Sequence, residues 1–477
     1  MIFFIGFAIL LLQRWSSLLS KNEEANVATY KTLTMPKSTQ EKGVKEELKE
    51  SRIDTNYIVI IDAGSSGSRV HIFQNNEQYQ SEEHYATKSI NPDHLTMKSR
   101  PGLSSFGQTP TDAGGSLWPL IEFAKDHIPT KQVSRTPILL KATAGMRLLQ
   151  QIHPTGAELI MESVNMVLNE SGFLFSSSQS QIISGQHEGM LGWLALNYLY
   201  ERSKENHSSL RGTDLSNRMW TIFEMGGASV QISIPLSSNE HSSELQSYIV
   251  PYTTTASERQ GSLYTHSFLG FGIESAKEQI KEALLQAEKT ELIDVLMHPC
   301  LPKNFQMEKS SINDEGAIFT GTGEYAKCKE LVKKVLFRKQ NKESCQSSSK
   351  VRCLWNGIAS PILQMDEKIW AFENFFYILS GVGVISDEHE AKKVHIKDYK
   401  SAAKQICSIE WNVLEKEYPK DNQPKEFNKD WCFSAIYIYE FLTKGLGLSL
   451  EQEITVGNSV DSHTLDWALG AALQYHS

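Results

Sequence analysis

Several things are scarce or missing in this chain, and each absence narrows what it can be. Six cysteines in 477 residues are too few for a scaffold held together by disulfides. No two of them form a C-x-x-C pair and no histidines stand in register with them, so a zinc-ribbon reading lacks its ligands. Positive charge is in deficit: 47 Lys and Arg against 56 Asp and Glu leave a formal net charge of −9, and no global basic field recruits nucleic acid. No G-x-x-x-x-G-K-[ST] occurs, which excludes the P-loop mechanism, and neither H-E-x-x-H nor G-x-S-x-G is present. Metalloprotease and acyl-transfer chemistry therefore lack their residues. What remains is ordinary globular composition, with 40% hydrophobic, 22% charged and 9% aromatic residues, which excludes a disordered or fibrous chain. At ~150 residues per domain the length predicts two or three structural units.

Long apolar runs are absent too, except at the start. Met1 to Leu12 (MIFFIGFAILLL) is unbroken and is followed by Gln13 and Arg14. It is shorter than the ~20 residues that span a bilayer and reads over 1–20 as a signal peptide or a short N-terminal type II anchor. Residues 21–51 are polar and charged, a linker or stalk. Either reading sends the chain into the secretory pathway, as a secreted protein first, with an ER or Golgi lumenal or a membrane-anchored form as alternatives. In an oxidising lumen the six cysteines read as disulfides, with 15 possible connectivities. Asn169-Glu170-Ser171 and Asn206-His207-Ser208 match glycosylation acceptors.

The informative stretch begins at Tyr57. Tyr57 to Ile61 is continuously apolar and β-branched, the pattern of a strand buried on both faces. Asp62 ends it, and Ala63-Gly64-Ser65-Ser66-Gly67-Ser68 follows before Arg69, Val70 and Ile72 open an alternating strand. Glycines let backbone N–H groups converge, serines add hydroxyl donors, and the acid points a carboxylate into the same concavity. The same grammar recurs 162 residues later: an apolar strand from Met219, then Glu224, Met225, Gly226, Gly227, Ala228 and Ser229, then the alternating strand Val230 to Ile234, which carries Gln231. Internal duplication of this kind predicts two lobes facing each other across a cleft. Each lobe would offer backbone donors and one carboxylate to a polyphosphate–metal complex.

Two further stretches lie between the hairpins. Pro137 to Leu140 reads as a strand running into Lys141-Ala142-Thr143-Ala144-Gly145-Met146-Arg147, where Thr143 and Arg147 are available to phosphate oxygens. An ion pair for Arg147 is the structural alternative. Gln181 to Ser184 reads as a short strand before a helix whose apolar stripe is Leu191, Leu194, Ala195 and Leu199. Glu188 stands in the first turn of that helix, where active-site carboxylates commonly stand; a favourable interaction with the helix dipole is its plain alternative. The basic run Lys327 to Lys342 carries Leu331, Val332, Val335 and Leu336 at helical spacing, so an amphipathic helix packed on its lobe is expected rather than a membrane or heparin surface.

Taken in order, IDAGSSGSR, LKATAGMRLL, ISGQHEGMLGWLALNYL, FEMGGASVQI and DWALGAALQY resemble the five apyrase-conserved regions of the GDA1/CD39 family of nucleoside triphosphate diphosphohydrolases. The resemblance covers about residues 56–477. It implies an α/β, two-lobed actin/Hsp70/hexokinase-like fold on RNase H-like sheets with a central cleft. Lobe I would comprise 52–184 plus 455–477, and lobe II 185–454. The implied reaction is hydrolysis of terminal phosphates of nucleoside tri- and diphosphates (ATP, ADP, GDP, UDP), with Ca²⁺ or Mg²⁺ and no covalent intermediate. Carried over by position, Glu188 resembles the base that activates water. Thr143, Gln231 and Ser229 resemble groups that position the water or the terminal phosphate. Gly64 to Arg69, Arg147 and Gly226 to Ser229 resemble phosphate contacts, while Asp62 and Glu224 resemble the pair that holds the metal's water shell. The disulfides implied are Cys300–Cys328, Cys345–Cys353 and Cys407–Cys432.

The sequence also departs from that pattern. Glu224 stands where the family usually has Asp. After YTHSFL the secreted and cell-surface relatives have Cys-x-x-basic, whereas this chain has Gly270-Phe271-Gly272-Ile273, as in the lumenal, NDP-preferring branch. Phe376 and Tyr377 are the aromatic candidates for stacking on a base, with core packing as the alternative. A lumenal NDPase restricted to UDP and GDP, a kinase or exopolyphosphatase of the same superfamily, and a silent nucleotide-binding ectodomain are the rival functions. A membrane is a partner only if the N-terminal segment is an uncleaved anchor.

Overall fold

The computed structural model describes residues 56–77, 88–206, 219–237, 240–254, 260–287, 295–307, 318–338, 345, 347–385, 391–417 and 425–476. The leader and linker expected over 1–51 lie outside these residues, as do His207 and Ser208 of the second acceptor triplet.

The first sheet is built on β1 (Tyr57–Ala63), which pairs antiparallel with β2 (Ser68–Glu77). Two short strands, β3 (Lys88–Ile90) and β4 (Leu95–Ser99), flank β2. On the other side β5 (Ile138–Ala142) and β6 (Ser180–Ile182) run parallel to β1. The second sheet uses β7 (Thr221–Met225), β8 (Ser229–Leu236), β9 (Ile249–Thr253), β10 (Gln260–Leu269), β11 (Ile369–Glu373), β12 (Lys392–His395) and β13 (Glu453–Val456), in the order β12-β13-β11-β7-β8-β10-β9.

The duplication seen in the two hairpins extends to whole sheets. Strands β4-β2-β1-β5-β6 of one match β10-β8-β7-β11-β13 of the other, with the same senses: two antiparallel pairs followed by two parallel ones. Asp62 sits opposite Arg69 just as Glu224 sits opposite Gln231.

The continuous apolar runs are explained by layering. In β1, Ile58 and Ile60 face one core while Val59 and Ile61 face another. Outside the first sheet lie α1 (Trp118–His127), α2 (Ala144–Ile152) and α3 (Pro154–Glu170). Between the sheets lie α4 (Gly185–Asn206) and, from the chain's end, Trp467–His476. Ile222, Trp370 and Phe372 of the second sheet close that middle core, and Phe223, Met225 and Ala371 turn to the opposite side. There α5 (Tyr325–Leu336), α6 (Ile396–Cys407) and α7 (Trp431–Glu440) cover them; the terminal helix Trp467–His476 is α8. Each fully buried large apolar side chain contributes about 1.5–3 kcal/mol. Because α4 lies between two sheets, residues 191–199 are buried on every side rather than along one stripe. Close approach of α4 and α8 requires Gly470, where a Cβ would stand 2.0 Å from the Leu191 carbonyl oxygen.

The three expected disulfides form, Cys300–Cys328, Cys345–Cys353 and Cys407–Cys432. The basic helix α5 turns Cys328, Val332 and Leu336 inward with Leu331 and Val335 packed beside them, and leaves Lys327 in solvent.

Candidate active site

Both acidic turns close in the same way: Gly64 N–H donates to the Gly67 carbonyl and Gly226 N–H to the Ser229 carbonyl, each at 3.0 Å. The turns meet face to face. A Cβ on Gly227 would lie 2.6 Å from Ser65 Oγ, so a larger residue there would push that hydroxyl aside. A cavity of about 130 Å³ lies there, lined by Asp62, Gly64–Gly67, Arg69, Thr143, Glu188, Glu224 and Gly226–Ser229. It opens where β1 and β5 of one sheet and β7 and β11 of the other end, the place where parallel α/β sheets bind ligands.

The acids come from equivalent places. Asp62 Oδ1 and Glu224 Oε2 are both enclosed and have no hydrogen-bond partner within the protein. Burial pushes the Asp62 carboxyl up to about 8, Arg69 pulling it back only in part. Burial, reinforced by the neighbouring Glu188, drives Glu224 well above the usual carboxylate range. Two buried carboxylates with orphaned oxygens are the donor set that a hard divalent cation and its waters satisfy. The extra methylene of Glu224 is accommodated by α4: a Cβ on Gly192 would lie 3.0 Å from Glu224 Oε2.

Glu188 enters from α4, whose start is capped by Ser184 Oγ accepting from His187 N–H at 3.1 Å. Its carboxylate is buried, and Oε2 is held twice, by Arg147 Nη1 at 2.8 Å and by Gln231 Nε2 at 3.1 Å. Gln231 Nε2 also lies 2.6 Å from Ser229 Oγ and 3.1 Å from Ser267 Oγ. Arg147 further donates to the Ile183 carbonyl and to Ser229 Oγ. One edge of the Glu188 carboxylate is thus fixed. Thr143 caps β5 beside Ala63, whose carbonyl accepts from the Thr143 backbone N–H at 3.1 Å.

Some expected phosphate contacts lie elsewhere. Arg147 does not line the cavity; its guanidinium is committed to Glu188, Ser229 and Ile183, the ion-pair alternative. Gln231 likewise stands behind Glu188 and Ser229 rather than in the cavity wall. Ser68 is buried at 2% exposure in the strand, because the hairpin turns its hydroxyl away from the opening. Phe376 is buried in the outer core of the second sheet, so core packing wins over base stacking. Tyr377 is partly exposed and stands close enough to Glu373 for that carboxylate to raise its hydroxyl pKa, with burial adding to the effect.

Four titratable cavity residues were not singled out from the sequence: His71, Lys98, Glu373 and Asp466. Lys98 lies opposite Arg69 on β4, and its Nζ is 3.4 Å from Ser66 Oγ. Glu373 ends β11 with φ 59°, a left-handed backbone angle uncommon outside glycine. Burial raises its pKa, with Arg69 opposing, and its N–H donates to Asn458 Oδ1. The cavity wall therefore carries five carboxylates (Asp62, Glu188, Glu224, Glu373, Asp466) against two cationic side chains (Arg69, Lys98), which favours a dication. A wider open groove of about 580 Å³, lined by Glu158, Glu162 and His187, contains neither acidic turn.

The chain is 33% identical over 441 residues to "Probable apyrase 3" of Arabidopsis thaliana, covering 88% of this chain and 82% of the relative. It is 27% identical over 439 residues to "Nucleoside-diphosphatase mig-23" of Caenorhabditis elegans, covering 89% and 77%. It is also 27% identical over 454 residues to "Ectonucleoside triphosphate diphosphohydrolase 7" of Mus musculus, covering 88% and 72%. A solved structure of nucleoside triphosphate hydrolases from Neospora caninum superposes with a TM-score of 0.59 at 16% identity, covering 90% of this chain and 95% of that one; it shares the two-lobed fold. Residues 48–477 match the description of one family throughout. The chain belongs to the GDA1/CD39 (nucleoside phosphatase) family, enzymes that hydrolyse nucleotide phosphates.

Proposed function

We propose that this nucleotide phosphohydrolase removes the terminal phosphate of nucleoside tri- and diphosphates by in-line attack of a water that Glu188 deprotonates. The observation that carries the reading is the convergence of two acidic, glycine-containing turns on one cavity with Glu188 in its wall. Hydrolysis of a phosphoanhydride needs charge neutralisation and positioning of water, and little covalent chemistry from the protein. Backbone N–H groups of Ser65–Gly67 and Gly227–Ser229 cradle the phosphate oxygens, with Arg69 and Lys98 beside them. With Oε2 of Glu188 held by Arg147 and Gln231, Oε1 is left to accept the proton. Thr143 and Ser229 orient the water and the terminal phosphate. Asp62 and Glu224, with their unpartnered oxygens, would hold the divalent cation, Ca²⁺ or Mg²⁺, which would supply neutralisation of phosphate charge. The nucleotide sits between lobe I (52–184 plus 455–477) and lobe II (185–454). Three disulfides support work in an oxidising compartment of the secretory route. Among the described residues no helix is long and apolar enough to cross a membrane.

The experiment is phosphate release from ATP, ADP, GDP, UDP and polyphosphate, each with Ca²⁺, with Mg²⁺ and with chelator. Glu188→Gln should cut turnover about 10²–10⁴-fold while leaving nucleotide affinity largely intact. Full turnover by Glu188→Gln would remove Glu188 from its role, and release from polyphosphate alone would favour the exopolyphosphatase rival.

A further inference from the structure

Beside the acidic turns, three side chains from distant parts of the chain converge. His71 comes from β2, His94 from the segment before β4, and Asp466 from the residue before α8. His71 Nδ1 and His94 Nε2 are 3.0 Å apart, and Asp466 Oδ2 lies 3.5 Å from the first and 3.4 Å from the second. All three side chains are at least nine-tenths buried, at 1%, 2% and 9% exposure. Ligand atoms bound tetrahedrally at about 2.0–2.1 Å from one ion stand ~3.3–3.4 Å from each other, close to this triangle.

The proton inventory points the same way. His94 Nδ1 lies 2.9 Å from the Pro92 carbonyl, which can only accept, so the neutral ring carries its proton there and presents a lone pair at Nε2. That is the outer hydrogen bond by which metal-ligating histidines are commonly fixed. Asp466 Oδ1 accepts from Leu469 N–H at 3.1 Å, which aims Oδ2 into the cluster, where it has no hydrogen-bond partner. With His94 neutral, hydrogen bonding offers one proton, on His71 Nδ1, to two acceptors; the hydrogen-bonded alternative is an imidazolium at His94, which Asp466 favours. A single dication satisfies all three atoms at once.

We propose that His71, His94 and Asp466 bind a transition-metal dication of the zinc class, at a site separate from the Asp62–Glu224 pair. Two imidazoles and one carboxylate suit zinc better than calcium or magnesium, which prefer all-oxygen shells. His71 and Asp466 also line the nucleotide cavity, which gives the ion a route in and leaves its fourth position to water. Bound there, it ties the start of α8 to the first sheet, a role independent of which residue activates water.

The test uses the full, tag-free chain, stripped with chelator and titrated with Zn²⁺ or Co²⁺ in excess Mg²⁺. One ion per chain is expected, with the visible absorption of four-coordinate cobalt and X-ray absorption showing two imidazole ligands. His94→Gln, a residue outside the cavity wall, should lower Zn²⁺ affinity about 100-fold or more, while His127→Gln, exposed on α1, should leave it unchanged. Zinc should raise the melting temperature of the wild type and not of His94→Gln. No stoichiometric uptake by the wild-type chain, or a six-coordinate cobalt spectrum, overturns the proposal. The wild-type spectra decide it even where His94→Gln fails to fold. Uptake unaltered by a folded His94→Gln overturns it as well.

Discussion

Replacing Arg147 by methionine separates two ways in which a cationic side chain can serve this reaction. In the structure its guanidinium is spent on Glu188 Oε2 at 2.8 Å, on Ser229 Oγ at 3.2 Å and on the Ile183 carbonyl at 3.1 Å. This geometry predicts that it acts through the carboxylate rather than on phosphate. A charge-assisted hydrogen bond of this kind contributes ~1.5–3 kcal/mol, which at ~1.4 kcal/mol per decade predicts a loss of about 10–150-fold in kcat. KM should change little, because an interaction that only orients the base is not made with bound substrate. Stability should fall as well, by about 3–5 kcal/mol, since a buried carboxylate loses its countercharge; circular dichroism must confirm folding before the kinetics are read. The decisive measurement is a double-mutant cycle on phosphate release. With Glu188→Gln already present there is no carboxylate left to orient, so Arg147→Met should add less than about threefold. An equal loss in both backgrounds, or a raised KM at constant kcat, would refute the reasoning and place Arg147 on the phosphate.

Gly192→Ala should crowd Glu224 Oε2, 3.0 Å from the added Cβ, and raise the dication concentration for half-activation about tenfold; Glu224→Asp in the same chain should restore it. If the double variant is no better than the single one, Glu224 does not serve the cation. Gly470→Ala puts a methyl 2.0 Å from the Leu191 carbonyl between the two central helices. It should cost at least about 1–3 kcal/mol, read as a fall of several degrees in melting temperature. Acid should destabilise the chain through His298 and His266, each pushed down to about 4 by burial. The unfolded chain takes up these protons near pH ~6.5, so it binds more protons than the folded one below that pH. Stability is then full above ~6.5 and is lost as pH falls towards 4, by on the order of 3 kcal/mol for the deeply buried His298. His298→Gln should flatten this slope relative to the wild type, and an equal pH dependence of melting temperature in both between pH ~6.5 and ~4.5 would contradict it.

The amino-acid order alone marked whatever is local. Strand, acid, glycine turn and alternating strand are written consecutively in 57–72 and 219–234, because backbone convergence at a turn depends on which neighbours lack a Cβ. The position of Glu188 in a first helical turn was readable for the same reason, as was the inward face of α5. Tertiary structure alone decided partnerships between segments far apart in the chain. Arg147 met Glu188 because α2 and α4 follow adjacent parallel strands. Phe376 went into a core because the second sheet is covered on its outer side too. Glu373 and Asp466 became cavity acids because β11 and β13 repeat, in the second sheet, the places of β5 and β6 in the first. Nothing around His71, His94 or Asp466 announces the other two, since their meeting depends on how one strand, one loop and the last helix pack, and no short-range pattern encodes that.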